Sequence, residues 1–267
     1  MESTSYLQSE LTTIHKWEKD QSGLWFWEKL SRLPFKLLDK WTPAFIQNKI
    51  GQLLDEMGNY IQSGGKLLSN ISSVKKYYQH LSIESLEEVK GIPLVEMHKA
   101  VKKLTKNRKK LATIQGASTG VGGFLTLGLD IPLLLSMQIK LLQDIAICHG
   151  YNPNDKKERI FIVKCLQFVS ADIVGKKTIL AQLGHYDQNK EQVQREVISE
   201  MQGWREVVYA YRDSFGWKKL FQMVPVFGII FGAFSNRSSI EAIAETAEMF
   251  YRKRRIMERL EMKGTRE

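Results

Sequence analysis

Cysteine is nearly absent: Cys148 and Cys165 are the only two in 267 residues. Two thiols cannot build a disulfide framework, so a reducing compartment is expected, with both side chains acting as small buried hydrophobes. Proline is scarce as well, at 6, and strand-like alternation is rare. Helical spacing recurs in its place, which predicts an all-α, multi-helix bundle. The opening stretch, MESTSYLQSELTTIHKWEKD, holds neither a basic n-region nor an apolar h-region, so no secretory signal is expected. His15, His80, His98, His149 and His185 are scattered, and no His-Glu-x-x-His or paired Cys-x-x-Cys is present. No metal and no cofactor is therefore expected.

Acidic residues are outnumbered. Lys and Arg total 39 against 29 Asp and Glu, a net charge of +10. That balance favours a polyanion or an anionic lipid surface as neighbour. No nucleic-acid reader module is recognisable, and the basic residues flank apolar runs, so nucleic acid is not the expected partner. The mean hydropathy of −0.27 argues against several membrane spans.

From Leu111 to Leu129 no residue is charged. As a helix at about 1.5 Å per residue, this run would reach roughly 28 Å, close to one hydrocarbon thickness. Gly116, Gly120, Gly122, Gly123 and Gly128 fall inside it. Each glycine costs a helix about 1 kcal/mol relative to alanine, so close backbone packing is expected to compensate. Asp130 and Pro132 suggest an N-cap and first-turn proline for a following helix, Leu133 to Cys148, stopped by His149-Gly150. The pattern is a glycine-rich helical hairpin bent at Asp130. Its flanks are basic: Lys99, Lys102, Lys103, Lys106, Arg108, Lys109 and Lys110 before, Lys156, Lys157 and Arg159 after. Lys106, Arg108, Lys109 and Lys110 are the residues expected at anionic headgroups.

The first 80 residues form an amphipathic helical extension and residues 81–267 a core domain, with a boundary near 80. In the extension, Lys29, Arg32, Lys36 and Lys40 make one stripe beside Leu30, Leu33, Leu37 and Trp41, behind Trp25, Phe26 and Trp27. Trp25, Phe26, Trp27 and Trp41 suit an interfacial helix; the same pattern also suits a helix docked on the protein's own core. Further on, Asp155 to Glu158 has capping-box spacing. A second glycine segment, Met223 to Asn236, carries Gly228 and Gly232 at the spacing of Gly116 and Gly120. A long helix from Ser239 follows, with Ile240, Ile243, Ala244, Ala247 and Phe250 buried and Arg252 to Arg255 as a basic end.

Gly116-Ala117-Ser118-Thr119-Gly120 satisfies G-x-S-x-G, and the same glycines look like a dinucleotide fingerprint. Both motifs require a preceding strand and an α/β sheet, and neither is expected here. Ser118, Thr119, Asp130 and Asn236 remain the candidate functional polar residues.

Several separated motifs then carry a likeness. Gly116 to Gly123, Asp130-Ile131-Pro132, His149-Gly150-Tyr151, Pro225 to Asn236 and Tyr251 to Arg254 occur in an order that resembles the EcsC family, over roughly residues 80–257. The resemblance implies a bacterial protein related to one encoded beside an Ecs-type ABC transporter. It implies no reaction and supplies no catalytic set. The expectation is a membrane-associated helical protein on the cytoplasmic side, with anionic lipid and a membrane protein as partners. The alternatives are a hydrolase-like enzyme with a pocket at Ser118, Thr119 and Asp130, and a soluble scaffold.

Overall fold

The computed structural model describes residues 2–21, 59–60, 63–64, 69–78, 81–121, 127–171, 173–184 and 225–264. Eight helices and no strand occur among the described residues, so the fold is all-α. In chain order they are α1 (Thr4–Gln21), α2 (Ser72–Lys75), α3 (Leu86–Gly91), α4 (Leu94–Val121), α5 (Leu127–Cys148), α6 (Lys156–Ser170), α7 (Ile173–Gly184) and α8 (Pro225–Gly264).

Three long helices make the body. α4 and α8 lie side by side along much of their lengths. They run antiparallel, because His98 meets Glu248 and Lys109 meets Glu241. α5 packs on both; Arg108 reaches Asp144, and Gln138 donates to the Ser239 hydroxyl. The last turn of α4, the first turns of α5 and the start of α8 therefore share one end of the bundle. α5 is buried all round from Leu141 onward, as befits a central helix. Ile240, Ile243, Ala244, Ala247 and Phe250 of α8 are all buried in the core, as their spacing predicts. Cys148 and Cys165 are free and buried.

Local chemistry sets the helix ends. Ser85 opens α3 with a capping box: its Oγ accepts from the Glu88 N–H and donates to Glu88 Oε1, while Glu88 Oε2 accepts from the Glu84 N–H. α5 ends in a Schellman turn. Gly150 N–H donates to the Ile147 carbonyl and Tyr151 N–H to that of Ala146, with Gly150 at φ 77°. Pro225 occupies the first helical position of α8, where its missing N–H is harmless.

Three boundaries differ from the sequence expectation. α4 runs without a break from Leu94 to Val121, joining the basic helix to the first glycines. α5 begins at Leu127, so Asp130 lies in its first turn and is not its N-cap. The second glycine segment and the long C-terminal helix are one helix of 40 residues. No proline interrupts either junction, and side-by-side packing favours continuous helices over their glycine cost.

α1 closes over α8 and α7. Leu7 and Ile14 are fully buried. Trp17 packs on Phe168 and Phe250 at 5.8 and 5.7 Å and donates its indole N–H to Glu245. The boundary near residue 80 falls at 79–80, outside the described residues. Contacts before that point tie Tyr60, Ser69 and Tyr78 to α5: Gln143 bridges the Ser69 N–H and Tyr60 hydroxyl, and Tyr78 donates to the Cys148 carbonyl.

Candidate functional site

The segments His149 to Tyr151 and Tyr251 to Arg254, far apart in sequence, meet at the C-terminal end of α5. Arg255 donates through Nε and Nη2 to the His149 carbonyl. The Arg254 guanidinium lies between the rings of Tyr151 and Phe161, 4.2 Å from each centroid. It pairs with Glu158 at 3.1 Å, and the Tyr251 hydroxyl donates to the same carboxylate. Glu158 is thus drawn away from the helix end. Asp155 takes the N-cap backbone conformation of α6 without a side-chain cap bond, so the expected capping box does not form.

Tyr151, Glu158, Arg254 and Arg255 line a charged cleft with Lys90, Asn152 and Lys156. Burial pushes the Tyr151 and Tyr251 phenols up, so both stay protonated and donate. Burial likewise pushes the Cys148 and Cys165 thiols up, away from nucleophilic thiolate. The Tyr151, Glu158, Arg254 and Arg255 contacts there fasten α5, α6 and α8 together.

The expected basic end of α8 is likewise spent within the fold. Arg252 pairs with Glu10, Lys253 with Glu18 and Arg259 with Glu2, all through α1 or its leading residue.

A second concavity, about 790 Å³, runs between α4 and α8. Val101 and Ala244 form an apolar floor beside Met249. Lys102, Lys106, Lys109 and Lys110 rise from α4, and Arg237, Glu241, Glu245 and Glu248 from α8. Lys109 pairs with Glu241 at 2.5 Å. Lys102, Lys106, Lys110 and Arg237 are exposed, and no acid among the described residues pairs with them.

At the inner end of this groove His98 Nδ1 lies 3.0 Å from Glu248 Oε1, with the His98 side chain 50% exposed and that of Glu248 9%. The hydrogen bond to Glu248 raises the His98 pKa above its usual 6.5. Burial would raise Glu248, but the His98 hydrogen bond, backed by the His98 and Arg252 charges, outweighs it and lowers its pKa. His149 behind it is lowered by burial. Its Nδ1 donates to the Ile145 carbonyl, which leaves Nε2 facing Glu248 Oε2 at 3.9 Å. That carboxylate oxygen is buried, with no hydrogen-bond donor among the described residues. Sequence spacing gave no signal for the pair, since His98 and Glu248 sit on different helices. Among the described residues no group of three His, Cys, Asp or Glu side chains is arranged to hold a metal ion.

The residues singled out from sequence are dispersed. Gly116 is buried within α4. Ser118 is exposed, and its hydroxyl donates to the Gln115 carbonyl of its own helix. Residues 116–120 lie inside a helix, so no strand-to-helix nucleophile elbow exists there. Asn236 is buried in α8. Thr119 and Gly120 belong to α4, Asp130 to α5, and Gly228 and Gly232 to α8, but what surrounds them lies outside the described residues. Trp25, Phe26, Trp27, Trp41, Gly122 and Gly123 also lie outside them. Of the basic residues expected at a headgroup surface, Arg108 turns inward to Asp144 and Lys109 to Glu241, while Lys106 and Lys110 stay exposed.

One end of the bundle carries exposed apolar side chains. Ile114 is 67% exposed and Phe234 69%, with Leu111 and Leu133 about half exposed. No helix among the described residues is long and apolar enough to cross a membrane.

Comparison with known proteins follows the same residues. The EcsC protein family model matches residues 8–256, beginning well before residue 80. The chain is similar to the uncharacterized protein YdbA of Bacillus subtilis (strain 168), 55% identical over 258 residues, which cover 95% of this chain and 94% of that protein. It is also similar to Protein EcsC of the same organism, 27% identical over 172 residues, covering 64% of this chain and 69% of that one. No solved structure matches it.

Proposed function

The chain belongs to the EcsC protein family, and on that premise we propose that it acts as a membrane-associated helical module on the cytoplasmic side of the cell membrane. One observation carries this: Leu111, Ile114, Leu133 and Phe234 are exposed where α4, α5 and α8 share an end, beside the unpaired cations Lys106, Lys110 and Arg237. An apolar tip beside basic residues suits shallow insertion into anionic lipid, with ammonium groups at the phosphates. We propose a membrane protein, a transporter among the candidates, as a partner at the same end.

Sedimentation with phosphatidylglycerol vesicles at low salt tests the proposal. Burying one large apolar side chain contributes about 1.5–3 kcal/mol. Ile114→Ser combined with Phe234→Ser should therefore cut partitioning at least about tenfold. Wild-type protein left in the supernatant, or a double variant that pellets like wild type, would refute it.

A further inference from the structure

The groove between α4 and α8 has a charge imbalance that its own acids do not correct. Glu241 is held by Lys109 and Glu248 by His98; Glu245 accepts from the neutral Trp17 indole and keeps its charge, one carboxylate against four cations that meet no acid among the described residues. Lys102, Lys106 and Lys110 stand at steps of four residues, so they share one face of α4 about 6 Å apart. Arg237 adds a fourth unpaired charge from the opposite wall. Like charges lined up in a concavity repel one another and attract an anion. The floor of Val101, Ala244 and Met249 is apolar, so the anion that fits has an apolar part behind its charge. Free inorganic phosphate lacks one.

We propose that this groove binds a single anionic phospholipid, its phosphate held between Lys102 and Lys106 and the first carbons of its acyl chains on the apolar floor. Lys110 and Arg237 lie toward the end that carries Ile114 and Phe234, where the acyl chains leave for the bilayer. The inference rests on the membrane association proposed above, which supplies the lipid. Each ammonium offers three donors and the phosphodiester offers acceptors on several sides, so two lysines one turn apart clasp it without bidentate geometry. His98, half exposed one turn from Lys102, reports occupancy: a phosphate nearby raises its proton affinity.

The test uses the full chain with dihexanoyl phosphatidylglycerol below its micelle concentration. Dihexanoyl phosphatidylcholine and inorganic phosphate are run in parallel, and binding is read by titration calorimetry and by the His98 imidazole resonances. Saturable one-to-one binding of the phosphatidylglycerol is expected, at least tenfold tighter than either control. Lys102→Gln with Lys106→Gln should weaken it at least tenfold. Lys103→Gln, exposed on α4 but not lining the groove, should leave it unchanged. Circular dichroism checks that the variants keep their helices. Equal weakening by Lys103→Gln, phosphate binding as tightly as the lipid, or no saturable binding would overturn the groove. If wild-type protein still pellets with vesicles in those cases, membrane association stands and only the groove falls.

Discussion

Gly150 is fixed twice, by its backbone and by its neighbours. Its φ of 77° is the left-handed conformation, which costs a residue with a Cβ about 1–2 kcal/mol. A Cβ there would also lie 2.7 Å from Lys90 Cγ and 3.1 Å from the Lys90 backbone nitrogen. The lysine chain can swing away; the backbone nitrogen cannot. Gly150→Ala should therefore destabilise the fold by about 2 kcal/mol or more in urea unfolding. Gly150→Asn, which tolerates the left-handed region better, should recover only part of that loss. Gly91→Ala, with nothing within 4 Å of its Cβ position, should cost almost nothing. The helix stop at Gly150 was legible because the signal is local. Glu158 was not, because its spacing from Asp155 announces a capping box while Tyr251 and Arg254, on another helix, take the carboxylate. A charged tertiary partner outcompetes one backbone N–H.

α1 shows how an element docks by two kinds of contact. Leu7 and Ile14, seven residues apart, face the core with no exposure. Glu2, Glu10 and Glu18 meet Arg259, Arg252 and Lys253 around them. The ion pairs at the rim fix register and contribute modestly; the apolar face holds the helix. Leu7→Ala should lower unfolding stability by about 2–4 kcal/mol, whereas Glu10→Gln should lower it by about 1 kcal/mol or less. Urea midpoints for both variants decide between an apolar and an electrostatic clasp. The helical character of this stretch was legible, since the first 80 residues read as a helical extension. Its seat on α8 was not, because Arg252 to Arg255 look like a solvated basic terminus until their acids arrive from α1 and α6.

At the scale of the whole molecule, three groups where α4, α5 and α8 meet contribute to how stability follows pH. His149 is kept neutral in the folded state, so below its ordinary 6.5 the unfolded chain takes up a proton that the fold resists; stability falls as pH drops. Glu248 adds to that loss below 4.5. His98 behaves oppositely: its raised pKa stabilises below 6.5, and that contribution disappears as pH climbs through the folded value. Thermal unfolding should peak near pH 6.5 and decline on both sides. His98→Gln should flatten the alkaline side. Because Glu248 owes its lowered pKa first to the His98 hydrogen bond, the variant should also shrink the loss below 4.5, while the decline driven by His149 just below 6.5 stays. A midpoint that keeps rising from pH 6.5 to 8 in both proteins would show that the His98–Glu248 pair contributes nothing. The helical class was plain from scarce proline and recurrent spacing, and so was the α8 core stripe. The two glycine segments, at the end of α4 and the start of α8, suggested a pairing; that the basic half of α4 runs along the middle of α8 was not legible, because no single helix records which neighbour its second face will meet. α8 has one further property. Its 40 residues are one unbroken helix, about 60 Å long, with Phe234 near one end and Arg254 near the other. Rotational phase is therefore shared along the rod. Inserting one residue between Asn236 and Ile240 would swing Phe234 by about 100° around the axis, turning the apolar tip aside while the clamp at Arg254 stays where it is.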